Sequence, residues 1–193
     1  MTDKNSKIYY SAPDAPIRLV NQLAPFLSPI TTDRRIVVVC IGTDRSTGDA
    51  LGPLVGTFLR KFNSAAFEIY GTLDQPVHAL NLDDTLEQIY EQYDNPYVIG
   101  IDACLGNSSS IGAIQVADGP IHPGAGVHKK LTPVGNIHIS AVVNVGGMME
   151  YLALQTTRLH LVVSMATLIA RSLFVAIVIS ARGDAESAST AEQ

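Results

Sequence analysis

Apolar runs and helix-like apolar repeats alternate along the chain. Residues 35–42 (RIVVVCIG) form a continuous, mostly β-branched run, which is typical of a strand covered on both faces, as in a parallel sheet. Between Leu51 and Phe62 the apolar residues recur at steps of three and four, which predicts an amphipathic helix. Gly52 and Pro53 fit the start of this helix, because proline is tolerated in a first turn.

The remaining chain continues the alternation. Strands are predicted at 67–72, 97–106, 111–119 and 135–147, and helices over 14–27, 81–94, 147–156 and 159–180. This order predicts an α/β fold, a three-layer α/β/α sandwich around a mainly parallel sheet. We expect residues 1–181 to form a single domain and residues 182–193, which are small and polar, to form a disordered tail.

The segment 159–180 is apolar and long enough to raise the question of a membrane span. His160, Ser164, Thr167 and Arg171 recur along it at steps of four, three and four, which makes one polar stripe on an apolar helix. Arg171 would be costly in lipid. The pattern therefore predicts a buried or half-buried helix, and its apolar end at 173–179 should be covered by the domain or by a second copy.

Composition excludes some classes of function. The chain has 193 residues, a formal net charge of -5 and no dominant basic block, so nothing indicates a nucleic-acid surface. The N-terminus has no apolar signal core, and Cys40 and Cys104 do not form a CxxC pair. We therefore expect a reduced, cytoplasmic protein without a membrane or nucleic-acid partner.

Two aspartates follow or end the predicted strands. Asp49 comes after the run at 35–42, and Asp102 ends the apolar part of the run at 97–106. If these two strands are neighbours, both carboxylates lie at the carboxyl edge of the sheet, where clefts open. Two carboxylates in one cleft can divide the roles of proton acceptor and proton donor, which suits peptide hydrolysis by activated water. Alternatively, Asp49 caps a helix and Asp102 pairs with an arginine or a backbone N–H.

Other chemistries have weaker signals. No phosphate-binding GxxxxGK[ST] or GxGxxG motif is present, and no GxSxG surrounds Ser46. Both cysteines are expected to be small core residues. The loop 122–128 carries two histidines without a zinc-like spacing, although one histidine of the chain could join Asp49 and Asp102 around a divalent ion.

Three stretches together resemble a known family: GTDRSTGDALGPLVG (42–56), VIGIDACLG (98–106) and HPGAGVHKK (122–130). They are similar to core motifs of the spore germination protease, an aspartic peptidase, and over about 15–180 the chain resembles the YyaC-type sporulation proteins. Both groups resemble the hydrogenase-maturation endopeptidases, which implies their phosphorylase/hydrolase-like fold. The resemblance implies a catalytic pair of Asp49 and Asp102. The substrate-binding residues expected in the flanking loops are Gly42, Asp44, Gly124, Gly126 and Lys129.

Three hypotheses follow. The first is a sporulation-associated aspartic endopeptidase that acts without a cofactor on a small protein or peptide, with loop N–H groups stabilising the oxyanion. The second is a metal-dependent peptidase of the hydrogenase-maturation type, with Asp49, Asp102 and His138 as ligands of a divalent metal ion. The third is a non-catalytic sporulation protein that binds a partner. For each hypothesis we expect the protein to lie in the mother cell or forespore of a spore-forming bacterium. Whether it forms a homo-oligomer is left open by the sequence.

Overall fold

The computed structural model describes residues 7–28, 30, 34–124, 131–147 and 149–191, with side chains described as far as residue 181. Predictions that fall on the other residues lie outside the described part of the chain.

A six-stranded sheet forms the centre of the molecule. Its strands are β1 (Ile8–Tyr9), β2 (Ile36–Cys40), β3 (Phe67–Tyr70), β4 (Tyr97–Gly106), β5 (Ala113–Asp118) and β6 (Ile137–Val145). They lie in the order β1-β5-β6-β4-β2-β3. The four strands β3, β2, β4 and β6 run parallel, whereas β5 runs antiparallel to β6 and β1 antiparallel to β5. The sheet is therefore mixed, with a parallel centre.

Helices cover both faces of this sheet. They are α1 (Ala15–Leu27), α2 (Leu51–Arg60), α3 (Leu82–Gln92), α4 (Glu150–Gln155) and α5 (Leu159–Ala191). Val38 and Cys40 pack into the core beneath α1, α2 and α5, whereas Val37 and Val39 pack into the core beneath α3. Successive residues of a strand face opposite sides, so a strand buried on both faces reads as one unbroken apolar run. The predicted α/β fold is confirmed.

The helix α2 lies unusually close to the sheet. A Cβ atom added to Gly52 would lie 2.1 Å from the carbonyl oxygen of Ile41, so no larger residue fits without movement. Glycine allows this approach of helix to strand. The close contact fixes the start of α2, and with it the preceding loop, against the carboxyl end of β2.

The structure differs from the sequence predictions at several edges. β1 was not predicted, because two residues are too few to carry a period. β5 is antiparallel, which no sequence pattern indicated. The backbone of 182–191 continues α5, and the disordered tail expected over 182–193 stays a prediction. The boundary of a single domain at residue 181 stays a prediction.

Helix α5 packs on the domain with one face. Among the described helices it is long and apolar enough to cross a membrane over Leu159–Ala181, and half of its most apolar stretch is buried. Leu173 and Ile177 are almost fully buried, and Phe174 stacks on Phe62 with ring centroids 4.2 Å apart. Ile179 is 57% exposed. Most of the apolar end at 173–179 is thus covered within the domain, which is one of the two arrangements predicted from the sequence; the other was cover by a second copy.

Candidate functional site

Asp102 lies where β4 outgrows its neighbour β2. The last residue of β2, Cys40, pairs with Ile101, so Asp102 is the first residue of β4 beyond the end of β2. On the other side it pairs with Ser140 of β6. Val98 shares its face of the strand and packs into the core beneath α3. The carboxylate therefore stands at the edge where that core opens to solvent, and it is half-buried.

Asp49 is brought to the same edge by the loop before α2. Gly42 has φ +145°, and a Cβ atom there would lie 1.9 Å from the carbonyl oxygen of Asp49. The N–H of Thr43 donates to that same oxygen at 3.2 Å, and the N–H of Gly42 donates to the carbonyl of Val77 at 2.8 Å. The loop thus folds back over a glycine, and this turn places Asp49 beside the end of β2.

Asp49 does not cap the helix that follows it. The capping position of α2 is occupied by Ala50, and no side chain makes a capping hydrogen bond there. The ion pairs of the described residues join Arg35 to Glu68 and Arg60 to Asp74 and involve neither candidate aspartate. The structure therefore contains neither the helix cap by Asp49 nor an arginine pair of Asp102, whereas the backbone N–H of Ala103 does act on Asp102, as the structural alternative allowed.

The two aspartates line one cavity of about 460 Å³ at the carboxyl edge of the sheet. Its polar wall also contains His78, His122 and Glu150. Its remaining wall is formed by Ile41, Gly42, Thr43, Ala79, Ala103, Cys104, Leu105, Ile121, Pro123, Gly124, Leu131, Gly146, Tyr151 and Leu154. A cavity with a few polar groups on a largely apolar wall is the usual form of a ligand site.

The electrostatic environments of the two carboxyl groups differ. Burial raises the pKa of Asp102 well above its usual value, and the nearby charge of Asp49 raises it further, against a smaller opposite effect of the Ala103 N–H. Burial also raises the pKa of Asp49, while the hydroxyl of Ser46 acts in the opposite direction without a hydrogen bond of normal geometry. Since like charges in one cavity resist joint ionisation, the two carboxyl groups lose their protons in separate steps, and Asp102 is the one whose pKa the partner's charge raises.

The structure brings together some of the predicted substrate-binding residues. Gly42 and Gly124 line the cavity. Asp44 does not line it: this residue lies exposed in a turn, although its neighbour Thr43 is part of the wall. Gly126 and Lys129 lie outside the described residues.

His138 is not part of the cavity wall, which corrects its prediction as a metal ligand. It pairs with Gly100, two residues before Asp102 on β4, and its Nδ1 lies 2.9 Å from the carbonyl oxygen of Gly119. Over the described ranges, no three side chains of His, Cys, Asp or Glu are grouped so that they could hold a metal ion. The described residues therefore do not fit the metal site that the hydrogenase-maturation resemblance implies.

Sequence reasoning missed His78 and Glu150 as cavity residues. Nδ1 of His78 accepts the N–H of Leu80 at 3.3 Å, so the neutral ring carries its proton on Nε2. His78 reaches the cavity because Val77 forms a parallel bridge with Ile41. The sequence signal that could have found it is its place in the loop after β3, which also ends at the carboxyl edge of the sheet.

Comparison with known proteins gives three relations. Residues 7–172 match the family described as "Protein of unknown function (DUF1256)". "Uncharacterized protein YyaC" of Bacillus subtilis (strain 168) is 56% identical over 138 residues, which cover 72% of this chain and 67% of the relative. The germination protease of Halalkalibacterium halodurans is 35% identical over 116 residues, which cover 52% of this chain and 31% of the protease. The aligned stretch thus spans about a third of the length of that protease.

A solved structure extends the comparison to the fold. The crystal structure of the NiFe hydrogenase maturation protease HycI from Thermococcus kodakarensis KOD1 matches with a TM-score of 0.54 and 19% identity. The match covers 79% of this chain and 98% of HycI. At this identity the likeness shows a shared fold.

Proposed function

The chain belongs to the DUF1256 family, and on that premise we propose that it is an endopeptidase in which Asp49 and Asp102 activate water to hydrolyse a peptide bond. One observation carries the proposal: both carboxylates line one cavity, and the charge of Asp49 raises the pKa of Asp102. Such a pair holds one base and one acid in the same place.

The unequal environments assign the two roles. Asp49, whose pKa is raised by burial but not by its partner's charge, is the carboxylate that takes the proton from water as the water oxygen attacks the carbonyl carbon. Asp102, which retains its proton, donates a hydrogen bond to the carbonyl oxygen. The tetrahedral intermediate collapses when Asp49 passes the proton that it took from water to the leaving nitrogen, the carbonyl forms again and the C–N bond breaks. The products are a free carboxyl group and a free amino group.

The oxyanion needs a donor, and the loop before α2 offers few. Its N–H groups at Gly42, Thr43 and Gly48 already donate to Val77, Asp49 and Leu154. His78 keeps a proton on Nε2 and lines the cavity. We assign this ring as a second donor to the carbonyl oxygen, beside Asp102.

The biological setting is part of the proposal. The relation to the germination protease and to YyaC supports a substrate that is a small protein or peptide of a spore-forming cell. We place the protein in the cytoplasm of the mother cell or forespore. Metal dependence is not part of the proposal, because among the described residues no third metal-binding side chain is grouped with the two aspartates.

The test is cleavage of a natural protein mixture. The purified protein is incubated with the proteome of sporulating cells, and new N-termini are mapped by mass spectrometry. Asp49→Asn and Asp102→Asn should each lower cleavage by about a hundredfold or more, and the double variant should be little worse than either. Asp118→Asn, at an exposed position outside the cavity, is the matched control and should cleave normally.

Two results would contradict the proposal. Retained cleavage in either folded single variant excludes the two-aspartate mechanism. Stable capture of a partner with no new termini at any pH would instead indicate the non-catalytic binding protein.

A further inference from the structure

A second depression runs along the free edge of the sheet. It has a volume of about 670 Å³ and follows β3, which is the last strand in the sheet order. The end of α2 forms one wall and α3 forms the other. Within the described part of the chain no strand pairs with the outer side of β3. An unpaired edge strand presents N–H and C=O groups that can accept another extended chain.

The walls of this edge groove suit a peptide better than a charged ligand. Asn63 and Gln88 line opposite walls, and their side-chain amides form no hydrogen bond with another described residue. The two charged residues of the lining are already paired: Arg60 contacts Asp74, and Glu68 contacts Arg35. The groove therefore offers neutral donors and acceptors, which match the amide groups of a polypeptide rather than a phosphate or a nucleotide.

The edge groove adjoins the cavity that contains the two aspartates. His78 lines both. The neighbouring Val77 lines the groove and bridges to Ile41, which lines the cavity. Because β3 runs parallel to β2, its carboxyl end points to the same edge of the sheet as Asp49. A chain laid along β3 would therefore run towards the edge of the sheet where the carboxylates lie.

We infer that the edge groove binds an extended segment of the substrate polypeptide as an added strand beside β3 and leads its adjoining residues into the cavity. Main-chain hydrogen bonds to the strand edge supply affinity that tolerates many sequences. That the segment belongs to a substrate rests on the proposed function. The binding of an extended peptide at β3 does not depend on cleavage.

The experiment measures binding without turnover. A phage library of random peptides of about twelve residues is selected on the Asp49→Asn, Asp102→Asn double variant, and recovered peptides are synthesised. Hydrogen exchange of the double variant is then measured with and without peptide. We expect slower exchange at the amides of β3. Protection confined to another surface, or no recovered peptide, would overturn the inference.

Matched tryptophan variants give a second readout. Gln88→Trp fills the groove from an exposed position on α3, and Glu91→Trp places the same bulk on the same helix outside the groove. Peptide affinity should fall at least about tenfold in Gln88→Trp and stay unchanged in Glu91→Trp. Equal affinity in both folded variants would overturn the inference. Peptides that bind at β3 but are not cleaved by the wild-type protein would contradict the proposed endopeptidase and leave the groove's role intact.

Discussion

Asp102 is held in an environment that opposes its charge. Its pKa in the folded protein is raised well above the usual 3.8 by burial and by the charge of Asp49. Between the unfolded and the folded pKa, the native state binds more protons than the unfolded state. The free energy of unfolding must therefore fall as pH rises through that range, and the raised pKa destabilises the fold there because the unfolded chain gives up this proton more easily. A position kept at this cost is more consistent with function than with stability.

Asp102→Asn should for this reason stabilise the protein at neutral pH. Asparagine has nearly the same shape without the charge, so we expect a gain on the order of 1 kcal/mol at pH 7 and a flatter dependence of stability on pH. Denaturant unfolding at several pH values measures both effects. Asp118→Asn, at an exposed position, is the control and should not reproduce the gain at pH 7. A variant that is less stable than wild type at pH 7 would show that the carboxylate stabilises the fold.

The pH dependence of cleavage should follow the pair. The active form has Asp49 ionised and Asp102 protonated, so kcat/KM should rise as Asp49 loses its proton and fall as Asp102 does. Both pKa values are raised, so the bell-shaped profile should lie at higher pH than ordinary carboxylic acids would give. Its two apparent pKa values describe the pair and not either residue alone. The measurement is kcat/KM against pH on a substrate found by terminus mapping. If kcat/KM does not fall with rising pH before the pH range in which lysine and tyrosine side chains titrate, the assignment is contradicted.

At the scale of elements, the contact between α2 and β2 positions the site. Gly52→Ala would place a Cβ 2.1 Å from the Ile41 carbonyl oxygen, and a backbone atom cannot rotate away as a side-chain tip can. We expect a loss of about 1–3 kcal/mol in stability together with lower activity, because α2 and the loop carrying Asp49 must shift. Thermal unfolding and cleavage of the same samples measure this. Gly146→Ala, where the added Cβ would make an ordinary 3.4 Å contact, should cost much less stability. Equal losses in the two variants would contradict this account.

The central elements could be predicted because each has a strong local period. The predicted strand at 97–106 coincides with β4, and the helix predicted to begin at Leu51 is α2. β1 and the direction of β5 could not be predicted, since pairing across the sheet leaves no local pattern. Asp49 and Asp102 became candidates because both lie near the ends of strong apolar runs, and the resemblance in motifs put them first; their catalytic role stays a prediction. His78 was missed because only the bridge between Val77 and Ile41 brings its loop to the cavity.

For the whole molecule, the central question is what covers α5. The helix passes a length and composition test for a membrane span, yet its face with Ala170 and Leu173 is fully buried against the domain. Arg171, in the middle of the apolar stretch, is exposed. An arginine facing lipid at that depth would be costly, whereas an arginine facing water costs nothing. The arrangement is that of a core helix with one wet stripe.

Two aspartate substitutions on α5 separate a core helix from a membrane span. In a core helix, Ala170→Asp buries an unpaired charge and should cost several kcal/mol or prevent folding, whereas Val175→Asp, at a position that is 41% exposed, should change stability by less than about 1 kcal/mol. In a membrane span, position 175 would face lipid, and a charge there would oppose insertion by about 2.5–3.5 kcal/mol. Thermal unfolding of the purified variants and fractionation of cell extracts measure the two effects. If the wild-type protein is found in the membrane fraction and the Val175→Asp variant is not, α5 is not a core helix. If, without detergent, the Val175→Asp variant is stable and the Ala170→Asp variant is unfolded, the result supports α5 as a helix that closes the core of the domain.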